Sequence, residues 1–116
     1  MAFSYSQLTP ITTIASSAGA VYTNPATTTT YVRTIVIHNT NTTAETVTLY
    51  NVPDSTGSVG TAGITNQFYK QDVAADSTVI LEFAVPGIML EDTNDTIQAS
   101  TTTASKVTIQ ITGGTE

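Results

Sequence analysis

Lys106-Val107-Thr108-Ile109-Gln110-Ile111-Thr112 alternates without a fault between polar and apolar side chains. Successive side chains of an extended chain point to opposite faces, so Val107, Ile109 and Ile111 share one face while Thr108, Gln110 and Thr112 share the other. One apolar and one hydroxylated face describe a strand with a core on one side and water on the other. The alternation recurs in Thr78-Val79-Ile80-Leu81-Glu82-Phe83-Ala84-Val85, where Val79, Leu81, Phe83 and Val85 fall together, and in Thr46 to Tyr50 and Thr96 to Ser100. Tyr31 to Asn39 is different, because Ile35, Val36 and Ile37 place apolar groups on both faces. Such a strand is central in its sheet, or something covers its outer face. No window carries a sustained i, i+3, i+4 apolar stripe, so little or no helix is expected.

Turn chemistry separates these runs. Asn39 to Thr43 is Asn-rich and suits a hairpin between the strands on either side. Pro53 to Gly63 is the longest loop, Ala74 to Ser77 and Glu91 to Asp95 are short polar turns, and Pro86-Gly87 is a compact bend. Leu8 to Ile14 and Ala20 to Thr23 read as weak edge strands whose ladders are limited by Pro10 and Pro25. Thr27 to Thr30 is a lead-in to the apolar strand that follows. The count is about eight strands at a spacing of roughly 8 to 12 residues, which signals a sandwich or barrel. The chain is therefore expected to be all-β: one β-sandwich over residues 1–116, Ig-like or jelly-roll-like, of about eight mainly antiparallel strands. Residues 1–20 form an N-terminal arm or an edge strand.

Composition supports this reading. Threonine fills 26 of the 116 positions, while nine acids and three bases make only 10% charged residues, against about a quarter in ordinary soluble domains. Threonine is β-branched, which fits a pleated strand, and its hydroxyl lets an outward face meet water without ions. Cysteine is absent, which excludes disulfides and thiolate metal sites. The net charge of -6, with only Arg33, Lys70 and Lys106 as cations, lacks the basic stripe that nucleic acid or anionic lipid requires. The first residues have no basic n-region and no apolar h-region, so no signal peptide is expected. No apolar run reaches the roughly 20 residues that span a bilayer.

The sequence presents no catalytic constellation. His38 is the only histidine, no Gly-x-Ser-x-Gly elbow accompanies it, and a strand-end histidine bonded to a neighbour is the favoured reading. The turn Glu91-Asp92-Thr93-Asn94-Asp95 is the best candidate for calcium, which takes oxygen ligands. A plain polar turn is favoured over it, because Asn and Asp bond their own backbone. Gly57, Gly60 and Gly63 mimic a phosphate loop only in spacing, with no Lys-Ser/Thr and no helix after them. Tyr5, Tyr22, Tyr31, Tyr50 and Tyr69 are scattered, which favours core-edge or interface roles over a sugar-stacking platform. No enzyme activity, cofactor or resident metal is expected.

Tyr22 to Thr40, with its Pro- and Thr-containing lead-in and its apolar strand ending in Asn39-Thr40, resembles a recurring pattern in small virion proteins of tailed bacteriophages. Thr46-Val47-Thr48-Leu49-Tyr50 matches the Val-x-Leu-Tyr strand that follows in those chains, and Ala75 to Phe83 and Asp95 to Ala99 match their later turns and strands. The resemblance covers most of the chain from Tyr22 onward. It implies a β-sandwich module of the virion, often trimeric, of the head decoration or cement type. It also implies synthesis in the host cytoplasm, and the major capsid protein or another virion protein as partner. The alternative is a receptor- or carbohydrate-binding module of a tail or fibre. Cement proteins act by burying area against their neighbours, so Leu8, Ile11, Ile14, Ile35, Val36 and Ile37 are the candidate contact residues. Ordinary core burial is an equal reading for each. The strand around Ile35 carries none of the lysines that guard sheet edges, and a low-charge face of that kind is cheap to desolvate.

Overall fold

The computed structural model describes residues 3–116. Nine strands form two antiparallel sheets: β1 (Ser4–Thr13), β2 (Gly19–Thr23), β3 (Thr30–Asn39), β4 (Glu45–Val52), β5 (Gln67–Val73), β6 (Thr78–Glu82), β7 (Ile88–Leu90), β8 (Thr96–Thr101) and β9 (Val107–Thr115). A single 3-10 turn, Ile64–Asn66, precedes β5. One sheet has the order β1-β9-β3-β6, with β7 also pairing to β3, and the other has the order β2-β8-β4-β5. The first four strands thus pair with the last in reverse order: β1 with β9, β2 with β8, β3 with β6 and β7, β4 with β5. A long antiparallel ribbon wound into two facing sheets is the jelly-roll form of the sandwich. β6 and β7 are together one ribbon strand, broken at Phe83 to Gly87, which is why nine segments replace the expected eight or so.

The alternating residues of β9 behave as their pattern dictates: Val107, Ile109 and Ile111 are fully buried. They meet Val32, Ile35 and Ile37 from β3, and Val47, Leu49, Ile97 and Ala99 from the facing sheet, in one core. The flanks of the sandwich are closed by side chains. On the β1–β2 flank the Thr9 hydroxyl donates to the Val21 carbonyl at 2.8 Å. On the β5–β6 flank Phe68 and Phe83 meet edge to face at 6.3 Å.

Several sequence expectations are corrected by this winding. Asn39 to Thr43 is no hairpin, because β3 and β4 lie in different sheets and the segment crosses between them. Among the described residues only β4 and β5 are consecutive strands paired within one sheet as a hairpin, and the loop that joins them is the long one from Pro53. β3 is an interior strand between β9 and β6, so it needs no guarding lysines, and its backbone offers no open edge. Ile35 and Ile37 are fully buried and Ile14 is 1% exposed. None of the three is available as a contact surface on the folded chain, because each is buried in the core. Val36 is half-buried on the outer face, Leu8 packs at the core margin, and Ile11 is 68% exposed. Val85, expected on the inward face, is 75% exposed because regular pairing ends at Glu82.

Candidate functional site

The two ends of the sandwich carry the polar chemistry. At one end Asp95 is 9% exposed and accepts three backbone N–H groups. Its Oδ1 receives Asp54 at 2.9 Å, while its Oδ2 receives Asp92 at 3.0 Å and Glu91 at 3.2 Å. A carboxylate in the Asp95 position closes its own turn and ties the Pro53–Gly63 loop to it. That loop is pinned further, since Asn94 Nδ2 donates to Gly57 O at 2.7 Å and Gln98 Nε2 to Gly60 O at 3.0 Å. The glycine-bearing loop is therefore a fixed cover over the outward residues Thr96 and Gln98, which are buried beneath it.

Among the described residues, Asp54, Asp92 and Asp95 bring one carboxylate oxygen each within 4.8 Å of one another, the grouping that could hold a cation. Backbone donors already occupy both Asp95 oxygens, and Gly57 N–H donates to Asp54 Oδ2 at 2.8 Å. The cluster is accounted for by loop closure. Asp95→Ala leaves three N–H groups unpaired and is expected to cost about 2 kcal/mol of stability, measurable by urea unfolding. A loss below about 0.5 kcal/mol would show that the loops hold without it.

His38 lies on the outer face of β3, directly opposite Thr78 of β6. Its Nδ1 is 2.8 Å from the Thr78 hydroxyl, and its Nε2 is 3.4 Å from Asp76 Oδ1. The order hydroxyl, imidazole, carboxylate is that of a nucleophilic triad, but the surroundings differ. Asp76 is 88% exposed in a turn, so the acid sits in water and not in the buried place that orients and stabilises a catalytic imidazole. The arrangement is a cross-strand polar pair extended by one exposed acid.

A third grouping joins residues far apart in sequence. Across the outer face, Tyr5 of β1, Gly114 of β9, Tyr31 of β3 and Met89 of β7 are successive partners in one row. Gly114 has no side chain, and the Phe3 ring occupies the space where its Cβ would stand. Phe3 thereby lies between the two tyrosines, with centroids 6.3 Å from Tyr5 and 5.7 Å from Tyr31. Tyr31 donates its hydroxyl to the Glu116 carboxylate. That bond, then loss of solvation, then the negative charges of Glu116 and Glu91 raise the phenol above its ordinary pKa. Gly113-Gly114 inside a strand is the sequence signal for this site, since glycine there marks a close approach.

No protein-family model and no curated protein matches this chain. The site must therefore be judged on its own chemistry, and one further asymmetry bears on it. Residues 1–32 contain no Asp, Glu, Lys or Arg. Both edge strands of one flank, β1 and β2, come from that stretch. The opposite flank, β5 and β6, carries Lys70, Asp72 and Glu82. Pro10 and the register shifts at Leu8 and between Thr9 and Thr12 interrupt the β1 ladder, devices that limit uncontrolled edge pairing. The uncharged flank is thus suited to contact through side chains, with Ile11 the most exposed apolar group on it. Of the six contact candidates read from sequence, the fold leaves Ile11 fully outward and Leu8 and Val36 partly so.

Proposed function

We propose that this chain is a non-enzymatic structural protein of a tailed-phage virion, a head decoration or cement protein acting as a homo-oligomer, with a trimer favoured by the resemblance. The observation that carries the reading is the uncharged β1–β2 flank, on a molecule whose net charge of -6 resides elsewhere. Like-charged copies repel, so a flank free of charge is where copies of this chain, or a capsid surface, approach at least electrostatic cost. The jelly roll is in keeping with the proposal, since viral capsid proteins use that fold, but lectins and cupins share it, so the fold alone decides nothing.

Particles stripped of this protein are expected to lose resistance to heat and to regain it on adding the protein back. Ile11→Lys, placed where the side chain is exposed and the fold tolerates it, should weaken add-back by at least about tenfold through a charge buried in the contact. Particles equally heat-resistant with and without the protein would remove the cement reading. Equal add-back by Ile11→Lys would move the contact off this flank.

A further inference from the structure

The outer faces of the two sheets differ in what covers them. On the β2-β8-β4-β5 sheet the Pro53–Gly63 loop lies over the outward positions, and Val52, Thr96 and Gln98 are buried beneath it. The β1-β9-β3-β6 sheet instead exposes its outward apolar groups. Among the described residues eight large apolar side chains are exposed. Six of them, Phe3, Tyr5, Ile11, Ile80, Val85 and Met89, lie on the outer face of this sheet or at its margin. A gathering of this kind marks a surface that becomes covered.

The pairing registers arrange the face in rows. Ile11, Gln110, Val36 and Ile80 make one row, and Tyr5, Gly114, Tyr31 and Met89 another. Polar rows accompany them: Gln7-Thr112-Thr34-Glu82 and Thr13-Thr108-His38-Thr78. A twofold axis running along the strands between β9 and β3 lays every row on its own copy in reverse order. Ile11 then meets the second copy's Ile80, Tyr5 its Met89, Thr13 its Thr78, and Glu82 meets Gln7 instead of another acid. Charge permits the approach. The five strands of this sheet contain one cation, Arg33, and one anion, Glu82, whereas an excess of either sign would repel itself across a twofold. Of the acids beside the strands, Glu116 is bonded by the Tyr31 hydroxyl and Asp76 faces His38. The area is also sufficient. Four strands about 4.8 Å apart and about ten residues long cover roughly 600 Å² in plan. Side-chain relief brings this near the roughly 800 Å² per partner of a stable contact.

We propose that this face packs on the same face of a second copy, as two sheets whose strands lie within about 30° of each other. The inference goes beyond the proposed function and does not depend on it. A twofold contact only doubles, so beside a threefold contact on the uncharged flank it gives six chains.

Sedimentation velocity of the full chain up to about 100 μM should show two chains, or six where the flank also joins three. Ile80 is 59% exposed on β6, across the sheet from the uncharged flank. Ile80→Lys should raise the dissociation constant of the pair at least about tenfold, because each pair buries the new charge twice. Ile64→Lys, in the exposed 3-10 turn before β5, should leave it unchanged. Ile11→Glu combined with Ile80→Lys in one chain should recover pairing. Within a copy β9 and β3 separate those two positions, so they meet only between copies. A mass of one or three chains, no effect of Ile80→Lys, an equal effect of Ile64→Lys, or no recovery in the double variant would overturn the proposal. Single chains, beside particles that still need the protein for heat resistance, would remove this pairing and leave the cement reading in place. Pairs, beside particles that do not need it, would keep the pairing and remove the cement reading.

Discussion

Ile35→Ala is expected to lower the folding free energy by about 4 kcal/mol, while Val36→Thr, one position along the same strand, should change it by less than about 1 kcal/mol. Ile35 is fully buried and lies opposite Leu81 of β6 and Ile111 of β9, facing the second sheet. Removing three carbons there forfeits their transfer free energy, and it opens a cavity that two rigid sheets cannot close. Val36 faces outward between Ile80 and Gln110 and is only half-buried. A β-branched hydroxyl side chain keeps its strand geometry and meets water there. Urea unfolding of both variants at one pH reads the contrast directly, provided the slope with denaturant is unchanged. A cost for Ile35→Ala below about 1 kcal/mol would place β3 outside the core.

The contrast also shows what period-2 patterning carries and what it leaves out. Alternation assigns each side chain to a face, and it does so correctly for β9, β4 and β8, whose inward residues are all in the core. It is silent on which sheet a strand joins. Asn39 to Thr43 looks like a hairpin turn because it is polar and Asn-rich, yet Asn39 is fully buried. Its amide donates at 3.0 Å to Thr43 O and to Val73 O, and its Oδ1 accepts the Asn41 N–H at 2.9 Å, so the same residues wire a crossover. An apolar run such as Ile35-Val36-Ile37 reads alike for a core strand and for an interface, because burial by the facing sheet and burial by a partner ask for the same residues. The low charge is legible from composition, but its concentration into one flank depends on β1 lying over β2. The ring row was hidden for a related reason. Phe3, Tyr5 and Tyr31 meet only because β9 lies between β1 and β3 and offers Gly114 as a gap. Asp95 was visible as part of a polar turn, whereas its hold on Asp54 needed the ribbon to be wound.

Glu45→Ala should cost about 3 kcal/mol at neutral pH. Glu45 is 2% exposed at the end of the sandwich opposite the ring row. Its Oε1 accepts the Thr103 N–H at 2.7 Å, and its Oε2 accepts Asn41 Nδ2 at 2.9 Å, so one carboxylate joins the β3–β4 and β8–β9 connections. Burial by itself would raise its pKa, but the bonds from Asn41 and Thr103, with Lys106 nearby, outweigh burial and hold it below the ordinary 4.5. A carboxyl whose pKa is lower folded than unfolded binds fewer protons in the native state. Its contribution is therefore complete above the unfolded value and is lost as pH falls through the folded one. Urea unfolding from about pH 7 down to about pH 3 should show the advantage of the natural chain over Glu45→Gln flat above about pH 5 and shrinking below about pH 4. Glu45→Gln retains one acceptor oxygen but presents an NH₂ group to the second donor, so it should fall between the natural chain and Glu45→Ala at neutral pH. Identical pH dependence in the natural chain and Glu45→Gln would mean that acid weakening begins elsewhere. In that case the two connections would be held by their backbone bonds, such as Thr40 N–H to Lys106 O at 2.8 Å, and not by this carboxylate.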